Sequence, residues 1–344
     1  MMAALAIWLM GLIYTGPDVP PGCGMCGSGL NPATQTVPPE ISIEGAAQGT
    51  TWHIVYTDAA GRHFKTQVDS ILLAIDLCLS TYRTDSEVSA FNQFDDFRYQ
   101  SGHFYPVLQR SLEIYRATNG AFDPTVMPVT EAYRKGKSTG RPWLQQLDSL
   151  LQYVGFQYIV FDRETVHKTK EHVRLDFDAI AQGYTVDVIA VWLEAQGVAD
   201  YMVEVGGEVR CKGLRQGARP WTVGIENPLR PGEELLRLNI GHRAIATAGN
   251  YRNFYVRNGQ TYRHIIHPKT GLAKQDPLLS ATVVAADAIT ADGFDTALLV
   301  MGLEESKQLL QREKDLDACL VYQQPDGSVA VFLTERLKGM LIPQ

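Results

Sequence analysis

The chain has 344 residues, 45% of them apolar and 20% charged, proportions of a folded protein and not of a disordered one. Its formal net charge of -7, with no Lys/Arg cluster, argues against nucleic acid as a partner. No segment recurs at a fixed period, which excludes a solenoid or propeller.

In chain order, Ala3 to Tyr14 is an uncharged apolar run of secretory h-region length, short for a bilayer span. The first Lys or Arg is Arg62, so the positive flank of a signal peptide is missing. A Pro- and Gly-rich stretch with Cys23 and Cys26 then leads to Pro39. Residues 1–39 are read as a signal or anchor segment with its linker. The expected location is extracytoplasmic (periplasmic or cell surface) and membrane-anchored. Cys23 and Cys26 suit a disulfide or lipid attachment, although Pro-Pro-Gly is a poor lead-in for lipidation. A lone CxxC is weak evidence for zinc. Cys78, Cys211 and Cys319 lie in apolar settings, so no disulfide framework is expected.

No linker composition follows Pro39, so residues 40–344 are read as one domain, bilobed at most. "ISIEGAAQGTTWHIVYTD" reads as strand, glycine-containing break and strand. "TQVDSILLAIDLCLSTY" and "FYPVLQRSLEIYRATNG" have helical apolar spacing, the second ended by Gly120. "DSLLQYVGFQYIVFDRETVHKTKEHVRLDFD" reads as a short helix and strands, and "AIAQGYTVDVIAVWLEAQGV" as a helix closed by Gly197. Strand-rich sequence from Tyr201 to Asp287 precedes helices at "ITADGFDTALLVMG" and "GLEESKQLLQREK". Closing strands turn at Asp326-Gly327. Strands in runs between separated helices predict an α+β fold, with mixed sheets and packed helices.

Within "ITADGFDTALLVMG", Asp292, Asp295 and Thr296 are three and four residues apart and share one helix face. Hard oxygens gathered there suit Mg²⁺ or Ca²⁺; a solvated face would look the same. Ala291, Phe294, Leu298 and Met301 form the expected apolar stripe opposite. In "LDFDAIAQGYTVD", Asp176 and Asp178 precede a helix whose free N–H groups suit phosphate oxygens, with Asp178 alternatively a plain N-cap. Gly183 would let that helix pack closely against a neighbour. "GAAQGTTWHI", "GAFDPTV", "EVGGEV" and "ATAGNYRNF" each let backbone approach a ligand, or are ordinary turns. In "RHIIHPKTG", His264 and His267 are side chains able to take a proton near neutral pH, before a turn at Pro268 and Gly271. No GxGxxG or Walker pattern is present.

The ordered set GTTW, LSTYRTDSEVSAFN, GAFDPTV, LDFDAIAQGYTVD, VEVGGE, ATAGNY, HIIHPKTG and ADGFDTALLVMG resembles the ApbE family of FAD:protein FMN transferases, from about Gln48 to Gly302. The resemblance implies a T-fold-like α+β domain that uses Mg²⁺ and FAD. It implies transfer of FMN, through a phosphoester, to a threonine of a partner such as a membrane redox-pump subunit. By position it implies metal ligands at Asp292, Asp295, Thr296 and the backbone carbonyl of Ala179. FAD contacts would fall on Gln48, Tyr82, Ala121, Phe122, Asp123, Asp176, Gln182 and Ile266, with His264 as general base. The family often has Lys or Glu at position 182 and usually Asp at 267, where this chain has Gln182 and His267. Loss of Asp292 is expected to harm catalysis more than folding. Two rival readings remain: an FAD pyrophosphatase at the same site, and a non-catalytic flavin-binding surface protein.

Overall fold

The structure is a computed structural model that describes residues 38–139, 143–249, 254–257, 260–263 and 265–343. The expected α+β class holds. The first strands are β1 (Glu40–Ala47) and β2 (Thr50–Thr57), followed by helices α1 (Lys65–Leu79) and α2 (Glu87–Gln93), strand β3 (Asp96–Arg98) and helix α3 (Phe104–Ala117). Helices α4 (Met127–Thr139) and α5 (Leu147–Leu151) precede β4 (Ile159–Phe161), β5 (Thr165–Lys168) and α6 (Ala181–Ala195). Next come β6 (Tyr201–Val205), β7 (Glu208–Lys212), β8 (Thr222–Glu226), β9 (Glu234–Asn239) and β10 (Ala244–Gly249). The hairpin β11 (Phe254–Arg257) and β12 (Gln260–Arg263) leads to β13 (Leu278–Ala285), α7 (Ala288–Met301) and α8 (Leu303–Arg312). The chain closes with β14 (Asp317–Gln323), β15 (Val329–Leu333) and α9 (Glu335–Lys338).

An eight-stranded sheet in the order β1-β2-β6-β7-β10-β13-β14-β15 organises the molecule. Every pairing among the described strands is antiparallel, which refines the expectation of mixed sheets. On one face Trp52, Ile54, Tyr56, Tyr201, Val203 and Val205 pack against Val68 and Leu72 of α1 and Val186, Ile189 and Leu193 of α6. Next to them Ala246, Ala281, Val283 and Ala285 meet α3 and α7. The period-two alternation sends Val209, Cys211, Ile245, Val284, Cys319 and Val321 to the other face, under Trp221, Ile225 and Leu238. The three cysteines 78, 211 and 319 are buried and free, as expected. Among the described residues no helix is long and apolar enough to cross a membrane. The Ala3–Tyr14 run, Cys23 and Cys26 lie outside the described residues.

Two features aim this scaffold at one end of the sheet. The β1–β2 turn at Gln48-Gly49 and the β6–β7 turn at Gly206-Gly207 lie side by side, joined by a bond from the Gly206 N–H to the Thr51 carbonyl at 3.1 Å. Both turns need positive φ (52° at Gln48, 70° at Gly206), which is costly for a residue with a side chain such as Gln48. Above them α6 and α7 cross at Gly183, where a Cβ would stand 2.3 Å from the Ala288 carbonyl oxygen. Only glycine permits that approach, as the sequence anticipates.

Besides the four-residue α9, two helices have no helical pattern in the sequence. α2 lies in the Ser-rich LSTYRTDSEVSAFN segment, and α4 has Val129 and Tyr133 as its buried apolar residues. Those two side chains pack with Trp143 and Ile266 into a small separate core, so tertiary contact and not periodicity holds α4.

A candidate cation and nucleotide site between two helices

Strand β7 carries Glu208, Arg210 and Lys212 at alternate positions, on the face that α6 and α7 cover. Arg210 donates to Asp187 Oδ1 at 2.7 Å, and Lys212 donates to Glu194 Oε2 at 2.7 Å. Asp187 also accepts from the N–H groups of Ala288 and Ile289, at 2.9 and 2.8 Å, and so caps α7 from the neighbouring helix. In return Asp292 Oδ2 of α7 accepts the Gly183 N–H in the first turn of α6 at 2.8 Å. Each helix therefore supplies an acid to the start of the other.

Beyond this exchange the pairing stops. Asp292, Asp295 and Glu208 are 5%, 2% and 7% exposed. Asp295 Oδ1 and Glu208 Oε2 are buried with no hydrogen-bond partner among the described residues. Burial pushes all three carboxyls up from their ordinary range. Asp292 adds to the shift of Asp295 and Glu208, and Glu208 to that of Asp295. An orphaned buried carboxylate oxygen is expensive, and a divalent cation removes the cost by coordination. Among the described residues no three His, Cys, Asp or Glu side chains converge as a ready-made metal centre. The donors that fit are mixed: two aspartates, the half-buried Thr296 hydroxyl and the Ala179 carbonyl, in the turn leading into α6. Hard oxygen of this kind suits Mg²⁺ or Ca²⁺.

Two expectations need correction. The face holding Asp292 and Asp295 is as buried as the apolar stripe, because α7 is enclosed on all sides by α3, α6 and the sheet. Asp178 is not an N-cap: Ile180 holds that position with no side-chain cap, and Asp178 turns outward to Tyr82 and Arg134.

Of the other candidates among the described residues, several lie on α6 or are tied to the segment leading into it. Gln48 donates from Nε2 to the Thr185 hydroxyl at 2.8 Å, leaving its buried Oε1 unpartnered. Gln182 lies over Gly206, since a Cβ there would meet its Nε2 at 2.7 Å. Asp123 Oδ1 accepts from the Thr125 N–H and hydroxyl at 2.9 and 2.6 Å, and burial pushes its carboxyl up to about 6. The Asp176 N–H donates to the Pro124 carbonyl at 2.8 Å, tying the Ala121-Phe122-Asp123 segment to the approach to α6. Burial also raises the Asp176 carboxyl, and Asp178 raises it further. Asn92 clamps the Leu175 backbone through two bonds, of 2.9 and 2.7 Å. Gly120 lies against Lys269 of the HPKTG turn, whose Gly271 N–H closes onto the His267 carbonyl at 2.8 Å. Burial lowers the His267 pKa. Ile266 is buried in the α4 core, so its side chain serves packing. His264 lies outside the described residues. The sequence pattern gave no pointer to Glu208, Asp187 or Arg134; "EVGGEV" drew notice for its glycines, when its second glutamate is the informative residue.

Fold and site define an α+β protein with an acid-rich, glycine-lined ligand site at one end of an antiparallel sheet. A model of the ApbE family matches residues 48–320. The chain is 34% identical over 306 residues to an FAD:protein FMN transferase of Haemophilus influenzae, covering 84% of this chain and 88% of that one. It is 32% identical over 325 residues to one of Salmonella typhimurium, covering 90% and 92%. Among solved structures, the flavin transferase ApbE from Vibrio cholerae superimposes with a TM-score of 0.79 at 31% identity, over 88% of this chain and 100% of that one. The apo form of the Pseudomonas stutzeri flavinyl transferase ApbE gives 0.79 at 27% identity, over 88% and 97%. This chain belongs to the ApbE family.

Proposed function

We infer that this chain is a FAD:protein FMN transferase that depends on a divalent cation, Mg²⁺ in the first instance. The observation that carries the cation dependence is the pair of orphaned oxygens, Asp295 Oδ1 and Glu208 Oε2, beside Asp292. Asp292, Asp295, Thr296 and the Ala179 carbonyl would hold the ion. When bound, it supplies charge neutralisation and polarisation at the FAD pyrophosphate. The protein's own residues do the rest. Gln48, Gln182 and the 121–123 segment frame the nucleotide, and Tyr82 offers a ring for stacking. His264 takes the proton from the acceptor threonine hydroxyl. That oxygen then bonds to the FMN phosphorus, the bond from this phosphorus to the bridging oxygen breaks, and AMP leaves. The acceptor is a threonine of a membrane redox-pump subunit or similar flavoprotein, met outside the cytoplasm with this chain anchored through residues 1–39.

The test is incubation with FAD and Mg²⁺, with and without an acceptor domain and with or without chelator, reading AMP release and protein-bound flavin fluorescence. AMP release that requires both acceptor and cation is the expected result. AMP without acceptor would replace the proposal with a pyrophosphatase. FAD retained with no AMP would replace it with a carrier.

A further inference from the structure

The exposed Tyr82 ring is held in place by a residue that no motif marks. Tyr82 is 75% exposed, yet its hydroxyl donates to Asp178 Oδ2 at 3.2 Å. Arg134, from α4, donates to the same oxygen at 2.9 Å and lies 3.6 Å from the Asp176 carboxylate. Its guanidinium stands 5.7 Å from the Tyr82 ring centroid. One planar cation thus contacts the ring by its charge and two carboxylates by its N–H groups. Asp178 in turn donates its N–H to Asp176 Oδ1 at 3.1 Å, which closes the network.

A tyrosine this exposed would ordinarily sample several rotamers, and ordering it on ligand binding would weaken affinity. Here α4 fixes it beforehand. We propose that Arg134 is a positioning residue for the flavin nucleotide: it locks Tyr82 as a preformed stacking platform and holds Asp176 and Asp178 in register beside it. The role needs the flat fork of arginine, because a lysine ammonium cannot lie along the ring and bridge two carboxylates together. Arg134 therefore acts on substrate capture and leaves the bond-breaking step alone. This inference rests on the FAD-transferase reading for its ligand.

The experiment compares the full chain with Arg134→Gln, Arg134→Lys and Asp178→Asn, measuring KM and kcat for FAD and, separately, the Kd of FAD by fluorescence quenching. Arg134→Gln is expected to raise KM and Kd about tenfold, the loss of one charge-assisted network, with kcat within about twofold. Arg134→Lys should fail to restore affinity, and Asp178→Asn should raise both constants about threefold. Unchanged KM and Kd in Arg134→Gln, a loss confined to kcat, or full rescue by lysine would overturn the proposal. If Arg134→Gln does not fold, Asp178→Asn decides by the same two constants. The Kd measurement separates this proposal from the functional one. Weakened FAD binding in a chain that transfers nothing would sustain the platform and sink the transferase, whereas normal transfer with unchanged constants would do the reverse.

Discussion

Two sets of acids are carried by α6, α7 and β7, and they differ in what stands opposite each carboxyl. Asp187 and Glu194 each meet a basic side chain of β7, Arg210 or Lys212. Asp292, Asp295 and Glu208 meet none in the ion pairs of the described residues. The first set is complete without a ligand: its charges are compensated, and Asp187 also closes the exposed end of α7. The second set has no such compensation among the described residues, and it is the set that the proposed cation would complete. Sequence identity of the side chains says nothing about this difference, which comes from what the neighbouring strand places opposite each carboxyl.

The comparison breaks most sharply at Asp295. Asp295→Asn should lower flavin transfer at least about a hundredfold, as expected when a cation loses a charged ligand. Its melting temperature should hold or rise, because among the described residues the Oδ1 oxygen has no hydrogen-bond partner and Thr296 alone supports the carboxylate. An amide oxygen can still accept from Thr296. A matching collapse of stability would place Asp295 with the structural acids. Asp292→Asn is a hybrid: transfer should fall as far, but the Gly183 N–H loses its charged acceptor, at a cost of about 1 kcal/mol.

On the paired side the effect moves to stability. Asp187→Ala strands the Arg210 guanidinium and the N–H groups of Ala288 and Ile289, and should cost about 3–5 kcal/mol in urea unfolding. That loss should be the same with Mg²⁺ or with chelator present. A loss that Mg²⁺ repairs would mean the two sets are one site.

The unpaired set was only half legible in the sequence. Asp292, Asp295 and Thr296 could be found because helical spacing converts three and four residues along the chain into one face. Glu208 reaches them from another element, and nothing local in "EVGGEV" announces a contact with α7. The paired set was invisible for the same reason: Asp187 reads as a polar residue on an amphipathic helix until α7 is placed beside it. Fold class and the principal elements followed from periodicity and from the glycine-marked ends at Gly120 and Gly197. α4 did not, since its buried face is completed by Trp143 and Ile266. The burial of α7 on all sides escaped too, because a helix with three polar residues on one face looks like a surface helix until a second layer covers it.

A third acid sharpens the comparison by standing between the two kinds. Asp123 has no basic partner among the described residues, yet its Oδ1 accepts from both the N–H and the hydroxyl of Thr125, and burial still pushes its carboxyl up to about 6. The ordinary value of 3.8 applies when the chain is unfolded. Folding therefore favours the protonated form, and the stability this contributes is fully present below about pH 4. It drains away as pH rises through about 6. Asparagine keeps an oxygen for Thr125 and cannot ionise. The stability of Asp123→Asn relative to the natural protein should therefore climb between pH 4 and pH 7, by on the order of 2 kcal/mol. Melting temperatures of the two proteins across that range measure it. A difference that stays flat would mean that hydrogen bonds alone can keep a buried carboxylate ionised here, and would weaken the case that the orphaned acids of α7 need a cation.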